Sequence, residues 1–250
     1  MTQARSVAIG GRRAVLEAIR SGRATEVLVA LGARRTPGLR ELSEAATAAG
    51  VEVRERPRDE LDRLASDHHG TVARVRLPDE LTERELAEWP FEDDGFLVVL
   101  DGVDDPQNLG AAARSAEAAG AAMLVTRVHR AAPVTPAAVR ASAGALLHLP
   151  HARVANIARA LRRLQDGGFT VVGLDERAET SIYDEPGPSG RLAIVVGSEG
   201  EGMARLTREA CDVLVGMPMR GHVGSLNASA SLAAVLYGYV LPSRSSHGPR

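Results

Sequence analysis

Hydrophobic and polar positions follow two periods along the chain, and each change of period marks a predicted element. Short apolar runs bounded by turn residues predict buried strands, whereas apolar positions three or four residues apart predict helices. In the first third of the chain, this pattern predicts strands at 26–31, 51–54 and 71–76 and helices at 11–19, 39–49 and 59–64. Residues 1–8 show neither period, and we expect them to fray.

The remaining two thirds alternate strand and helix in the manner of a parallel α/β sheet. Strands are predicted at 96–100, 121–125, 169–174, 192–196 and 213–215, and helices up to 118 and at 136–143, 157–164 and 226–239. The last helix is apolar on most sides, which is typical of a buried or interface helix. We therefore expect an α/β fold throughout.

An acidic segment, 78–94, with prolines at 78 and 90, separates the two parts and predicts a linker. Trp89 and Phe91 are the residues that we expect to pin this linker to one domain. The predicted organisation is a small domain at 1–77, the linker, a larger domain at 95–242 and a polar tail at 243–250.

Composition narrows the class of protein. The net charge is −2, and all 30 basic residues are arginine, so charge alone does not mark a nucleic-acid binder. The single cysteine, Cys211, excludes a disulfide within the chain and a cysteine-built metal site. The sequence contains no signal-peptide pattern and no apolar run of membrane-spanning length, so we expect a soluble cytoplasmic protein that binds no membrane.

The first stretch whose side chains are suited to catalysis follows the apolar run Phe96–Leu100. The Asp105-Pro106 pair ends the strand, since proline cannot donate to a sheet ladder. Asn108 is predicted to cap the next helix, and Arg114 lies one turn beyond Gly110 on the same helical face. An amide and a guanidinium are thus expected to converge at the carboxyl end of a strand, where open α/β sheets place their sites.

Two later stretches, 195–203 and 217–229, complete an ordered set of three motifs. Together they resemble the motifs of the SpoU/TrmH family, in the SPOUT class of RNA ribose 2′-O-methyltransferases, over roughly residues 95–240. The glycine-rich stretch reads G-x-x-G-x-G late in the chain, which argues against a Rossmann dinucleotide site. The resemblance implies a SPOUT domain with a C-terminal trefoil knot, a homodimer packed through the final helix, and an L30e-like RNA-binding domain in front.

The resemblance also implies S-adenosylmethionine as the cofactor. It assigns the catalytic positions to Asn108, Arg114, Glu199, Ser225 and Asn227, and the cofactor-binding positions to Leu174, Gly197, Met217 and Leu226. No metal is expected, because a sulfonium donor carries its own leaving group. Arg114 is implied in activating the ribose hydroxyl, although its high pKa makes it a demanding general base.

The implied substrate is RNA, and the branch with an L30e-like front domain methylates a guanosine of 23S rRNA. Transfer RNA methylation, antibiotic-resistance methylation of rRNA, an inactive RNA-binding member and an unrelated nucleotide-dependent enzyme remain alternatives. His68-His69-Gly70 resembles the His-Gln-Gly signature of the front domain, with His69 in place of the glutamine. The arginines expected to contact phosphates there are Arg12, Arg13, Arg34 and Arg35.

Overall fold

The computed structural model describes residues 6–34, 36–184, 187–222 and 224–244. Their strands, in chain order, are β1 (Ser6–Gly10), β2 (Ala24–Ala30), β3 (Val53–Arg56), β4 (Thr71–Arg76), β5 (Phe96–Asp101), β6 (Met123–Arg127), β7 (His151–Val154), β8 (Thr170–Leu174), β9 (Leu192–Gly197) and β10 (Val213–Val215). Their helices are α1 (Arg12–Arg20), α2 (Pro37–Ala48), α3 (Arg58–Leu64), α4 (Glu83–Ala87), α5 (Pro106–Ala118), α6 (Pro136–Ala141), α7 (Ile157–Asp166), α8 (Arg205–Glu209) and α9 (Ala228–Val235). Short 3₁₀ turns occupy Ala145–Leu147 and Pro242–Arg244, and a π-helical turn, Leu236–Val240, extends α9.

The chain forms two compact units. The first comprises Met1–Asp79 and Pro133–His148, and the second comprises Glu80–Ala132 and Leu149–Arg250. The segment Pro133–His148 thus packs with the first unit, although the sequence pattern alone groups it with the larger domain. Within the described residues, no helix has both the length and the apolar character that a bilayer span requires.

The first unit is built on a mixed four-stranded sheet with the order β1-β4-β2-β3. Strands β1 and β2 run antiparallel to β4, and β3 runs parallel to β2. The expectation that residues 1–8 fray is wrong for Ser6–Ala8, which belong to β1. This strand follows the polar start of the chain, and its partner β4 lies more than sixty residues further along, so the folded sheet reveals it.

The second unit is built on a parallel six-stranded sheet with the order β10-β8-β9-β5-β6-β7. Every residue of the central strands β5 and β9 is buried, as expected of parallel strands covered on both faces. The predicted α/β architecture is confirmed, and β7 is a strand that the sequence pattern did not reveal. The parallel arrangement brings the carboxyl ends of β5, β8, β9 and β10 to one edge of the sheet.

The acidic segment predicted as a linker is ordered and packs on the second unit. Thr82 and Glu85 form a capping box that starts α4, and Leu86 is buried in the core of this unit. Trp89 and Phe91 pack against the same core, and the Phe91 ring meets Phe169 edge-on at a centroid distance of 4.9 Å. The prediction that these two aromatic residues pin the segment to one domain is therefore confirmed.

Candidate active site

Three side chains from three remote parts of the chain form a closed hydrogen-bonded triangle at this edge of the second sheet. The Asn108 amide donates to Glu199 Oε1 at 3.1 Å, and the Asn227 amide donates to Asn108 Oδ1 at 2.9 Å. The Asn227 amide also donates to Glu199 Oε1. The three motifs singled out in the sequence therefore meet at one point.

Asn108 reaches this triangle from inside a helix. The prediction that it caps the helix is wrong, because the cap is Asp105, whose carboxylate accepts from the Gln107 backbone N–H at 3.0 Å. Pro106 occupies the first helical position, where a missing N–H costs nothing. With the cap supplied by Asp105, the Asn108 amide is free to bond across the site.

Asn227 holds its place by capping α9. Its Oδ1 accepts from the Ser229 backbone N–H at 2.9 Å and from the Ala230 backbone N–H at 3.3 Å. Its amide nitrogen faces the other way, toward Asn108 and Glu199. The same side chain thus ends a loop, starts a helix and closes the triangle.

Glu199 stands on a glycine-rich loop that folds back over the end of β9. Ser198 and Gly202 exchange two backbone hydrogen bonds, of 3.1 and 3.0 Å. A Cβ atom at Gly197 would overlap the backbone of Gly202 and Met203, so only glycine fits below this loop. The loop therefore depends on Gly197 for the space it occupies.

Asp101, which was not among the predicted site residues, holds the far end of this loop. Its Oδ2 accepts from the Ala204 backbone N–H at 2.9 Å, and its Oδ1 lies 2.6 Å from Arg127 Nη2. The side chain is almost fully buried, and the arginine balances its charge. The signal in the sequence is an acid that ends a wholly apolar strand, but its partner residues cannot be read from that pattern.

A cavity of about 730 Å³ opens beside the triangle, which is within the range of ~300–1,000 Å³ typical of small-molecule sites. The predicted residues that line it are Leu174, Gly197, Glu199, Met217, Ser225, Leu226 and Asn227. All four predicted cofactor-binding residues are thus brought together. They come from the last residues of β8 and β9 and from the loop after β10, and these three strands are neighbours in the sheet.

The cavity wall is predominantly acidic. Among the described residues, its charged side chains are Asp175, Glu176, Glu179, Glu199 and Glu201 on the acidic side and Arg177 and Arg208 on the basic side. Arg208 lies 2.6 Å from Asp175 and is engaged by it. The excess of carboxylates favours a cationic ligand and disfavours a phosphate.

Arg114 lies apart from this group within one chain. It is exposed, does not line the cavity, and forms no hydrogen bond or ion pair with any residue in the described ranges. It follows Asn108 by six positions on α5, which places it roughly 9 Å further along the helix and roughly 120° around its axis. The predicted convergence of its guanidinium with the Asn108 amide is not formed in a single copy.

Models of known families match both parts of the chain. The model described as SpoU rRNA Methylase family matches residues 95–237, which include the triangle and the cavity. The model described as RNA 2′-O ribose methyltransferase substrate binding matches residues 8–81. An uncharacterized tRNA/rRNA methyltransferase from Mycolicibacterium vanbaalenii is 42% identical over 235 residues, which are 90% of this chain and 73% of that protein.

Solved structures have the same fold. The SpoU methyltransferase AviRb from Streptomyces viridochromogenes, crystallised in complex with the cofactor AdoMet, matches with a TM-score of 0.78 and 28% sequence identity. The match covers 98% of this chain and 93% of that one. A crystal structure of an RNA 2′-O ribose methyltransferase matches with a TM-score of 0.79 and 30% identity, over 96% of this chain and 90% of that one.

Proposed function

This chain belongs to the SpoU family of RNA methyltransferases, and from that premise we propose that it methylates a ribose 2′-hydroxyl of 23S rRNA, at a guanosine. The observation that carries this proposal is the triangle of Asn108, Glu199 and Asn227, which joins the three family motifs beside a cavity. An inactive member of the fold would have no need to keep all three polar side chains in contact.

The cavity suits S-adenosylmethionine, which supplies a methyl group already activated by a positive sulfur. Its acidic wall matches the positive charge of that cofactor. Gly197, Met217, Leu226 and Leu174 all line the cavity. These residues would hold the polar edges of the cofactor.

The triangle orients the ribose. Glu199 Oε2 and the second amide hydrogen of Asn108 take no part in the triangle, so they are available to the sugar hydroxyl groups. Ser225, which lines the same cavity, adds a hydroxyl that both donates and accepts. Such positioning matters because a misplacement of ~1 Å lowers a transfer rate by about 10²-fold.

Arg114 acts on the hydroxyl as a cation rather than as a neutral base, because a guanidinium stays protonated at working pH. It binds the phosphate next to the target ribose and favours the developing negative charge on the 2′-oxygen, while the proton of the hydroxyl passes to solvent water. Since Arg114 lies apart from the triangle in one chain, we place it in the site of a second copy. The functional form is then a homodimer.

The two parts of the chain divide the work. The domain at 1–77 binds the RNA, the segment 78–94 joins it to the second domain, and the domain at 95–242 transfers the methyl group. The enzyme works without a metal, in the cytoplasm, where the ribosome is assembled. A tRNA ribose is the second candidate substrate, in line with the tRNA/rRNA names of the relatives.

The test is a map of 2′-O-methyl groups across ribosomal and transfer RNA from cells with and without the gene. We expect one guanosine of 23S rRNA to lose its methyl group, and the wild-type gene to restore it where Glu199→Gln does not. Loss of a tRNA methyl group instead would select the second substrate. An unchanged map, together with no transfer by the purified protein to RNA from the deletion strain, would contradict the proposal.

A further inference from the structure

A second cavity, of about 300 Å³, lies in the first unit and is surrounded by arginines. Arg12 at the start of α1, Arg34 in the loop after β2 and Arg58 at the start of α3 line it. The other lining residues are Ala30, Leu31, Gly32, Ala33, Thr36, Leu39, His69, Gly70 and Thr71, so no carboxylate of the described residues borders it. We call this cavity the arginine pocket.

The three arginines have no partner among the described residues. The side chains of Arg12, Arg34 and Arg58 form neither hydrogen bonds nor ion pairs with the described residues. Other arginines of the same unit are engaged, as Arg20 with Glu41 and Arg74 with Glu26 illustrate. Three unpaired guanidinium groups around one concave surface create a positive potential that only an anion can balance.

The backbone supports this arrangement at two points. A Cβ atom at Gly38 would lie 2.9 Å from Arg12 Cδ, so the glycine leaves the room that the Arg12 side chain occupies. His68 is buried, and its Nδ1 accepts from the Gly70 backbone N–H at 2.9 Å, which leaves Nε2–H to donate to Asp62 at 2.8 Å. His68 is therefore structural, and it holds the turn that brings His69 to the wall of the pocket.

The rim of the pocket offers a surface for a base as well as for a phosphate. Leu31 is 67% exposed although it is a large apolar residue, and it lines the pocket with His69. Unpaired nucleotides are recognised by stacking of the base on flat or apolar side chains, next to cationic groups that hold the backbone. The pocket has both features within one small cavity.

We propose that the arginine pocket binds one unpaired nucleotide of the RNA substrate, with its phosphate held by Arg12, Arg34 and Arg58 and its base against Leu31 and His69. The inference rests on the proposed function in one respect, namely that the substrate is RNA. In this proposal His69, which stands where the family signature has glutamine, contacts the base and is not a metal ligand. Arg35 lies outside the described residues.

The test measures RNA binding by the full-length protein at several salt concentrations. The probe is a fluorescent single-stranded oligouridylate of about twelve nucleotides, a length within the range of known single-strand sites. The variants are Arg12→Ala, Arg34→Ala and Arg58→Ala. The controls are Arg40→Ala and Arg76→Ala, which remove equally exposed and unpaired arginines of the same unit that do not line the pocket.

Each pocket variant should raise Kd by about tenfold and reduce the slope of log K against log salt by about 0.7, the value for one lost phosphate contact on a single strand. Each control should change Kd by about twofold or less, because it removes one screened surface charge and no phosphate contact. Leu31→Ala should weaken single-strand binding and leave the weaker binding of a duplex unchanged. Equal effects in pocket and control variants, or equal losses on duplex and single strand, would overturn the proposal.

Methyl transfer separates this inference from the function on which it rests. With wild-type protein and RNA from a deletion strain, transfer tests the function alone. In the pocket variants, KM for RNA should rise while kcat and S-adenosylmethionine binding stay unchanged. If the wild-type protein transfers methyl groups and the pocket variants keep the wild-type KM, the function stands and the pocket assignment is wrong.

Discussion

At the scale of single residues, the site depends on where a side chain is absent as much as on where one is present. Gly197 is the clearest case, because the loop that carries Glu199 crosses the position that a Cβ atom would take. The same loop is tied to β9 by the Ser198–Gly202 bonds and to Asp101 through Ala204. A small change at Gly197 must therefore displace Glu199.

We predict that Gly197→Ala weakens S-adenosylmethionine binding by more than about tenfold, since a Cβ atom would lie 2.0 Å from the Gly202 backbone and the loop must shift to admit it. Isothermal titration calorimetry measures this directly. Gly221→Ala is the matched control, because a Cβ atom there meets no other atom within 4 Å. Unchanged affinity in Gly197→Ala would mean that the loop is not part of the cofactor site.

A second residue-scale prediction concerns pH. His151 is buried on β7, its Nε2 lies 2.8 Å from Thr126 Oγ1, and burial, followed by the charge of Arg153, lowers its pKa to about 4. Because the folded-state pKa lies below the ordinary value of 6.5, the unfolded chain takes up a proton first as the pH falls. Stability is therefore lost between pH 6.5 and about pH 4.

The expected loss from this residue is on the order of 3 kcal/mol across that window. Chemical denaturation at a series of pH values measures it. His151→Gln cannot titrate and should flatten this part of the profile, whereas His129→Gln, at an exposed position, should not. A wild-type profile that is already flat from pH 6.5 to 4 would show that His151 is not held neutral.

At the scale of elements, the segment 78–94 is more than a connection. Its carboxylates form ion pairs with arginines of the second unit. Glu83 accepts from Arg159 and Arg163 on α7, and Glu80 lies 3.3 Å from Arg153 on β7. The Leu81–Ala152 bridge lies alongside β7 as well. Composition marks this segment as acidic, but only its partners show that α4 belongs to the second unit.

We predict that Leu86→Ala lowers the free energy of unfolding by about 2–4 kcal/mol, because Leu86 is 2% exposed and packs within the core. Glu88→Ala, at the exposed end of the same helix, should cost less than about 1 kcal/mol. Urea denaturation of both variants checks the difference. Two equally small effects would show that α4 is only loosely attached.

At the scale of the whole molecule, the main feature is that Arg114 lies apart from the triangle within one chain. The guanidinium and the triangle lie on different sides of α5, and the exposed Tyr237 follows α9, which packs against α5. A homodimer through this region is our proposal, and the trefoil knot implied by the family resemblance stays a prediction too. A mixing experiment tests the shared site.

We predict that Arg114→Ala and Glu199→Gln, each inactive alone, recover activity when unfolded together and refolded as a mixture. In a random mixture, half of the dimers contain one of each chain and one intact site, so about a quarter of the wild-type activity should return. The measurement is methyl transfer per protein chain. No recovery, in a mixture shown to contain mixed dimers, would place Arg114 and Glu199 in the same chain's site.

Elements were predicted from the sequence where the signal for them is local. Strands β4 and β10 were predicted with the bounds that the structure has, because hydrophobic period and turn residues act over a few neighbours. Strands β1 and β7 were missed, because β1 follows the polar start of the chain and β7 alternates polar and apolar residues over only four positions. The capping role given to Asn108 was wrong, since Asp105, three residues earlier, caps the helix instead.

The sequence by itself determined the α/β class, the order of the three motifs and the residue types at the site, since these depend on local composition and spacing. Tertiary structure alone decided that Asn108, Glu199 and Asn227 touch, that Asp101 holds the loop and that Arg114 does not join them within one chain. The physical reason is that parallel strands bring their carboxyl ends to one edge whatever their separation in the chain. No local pattern records which side chains meet there.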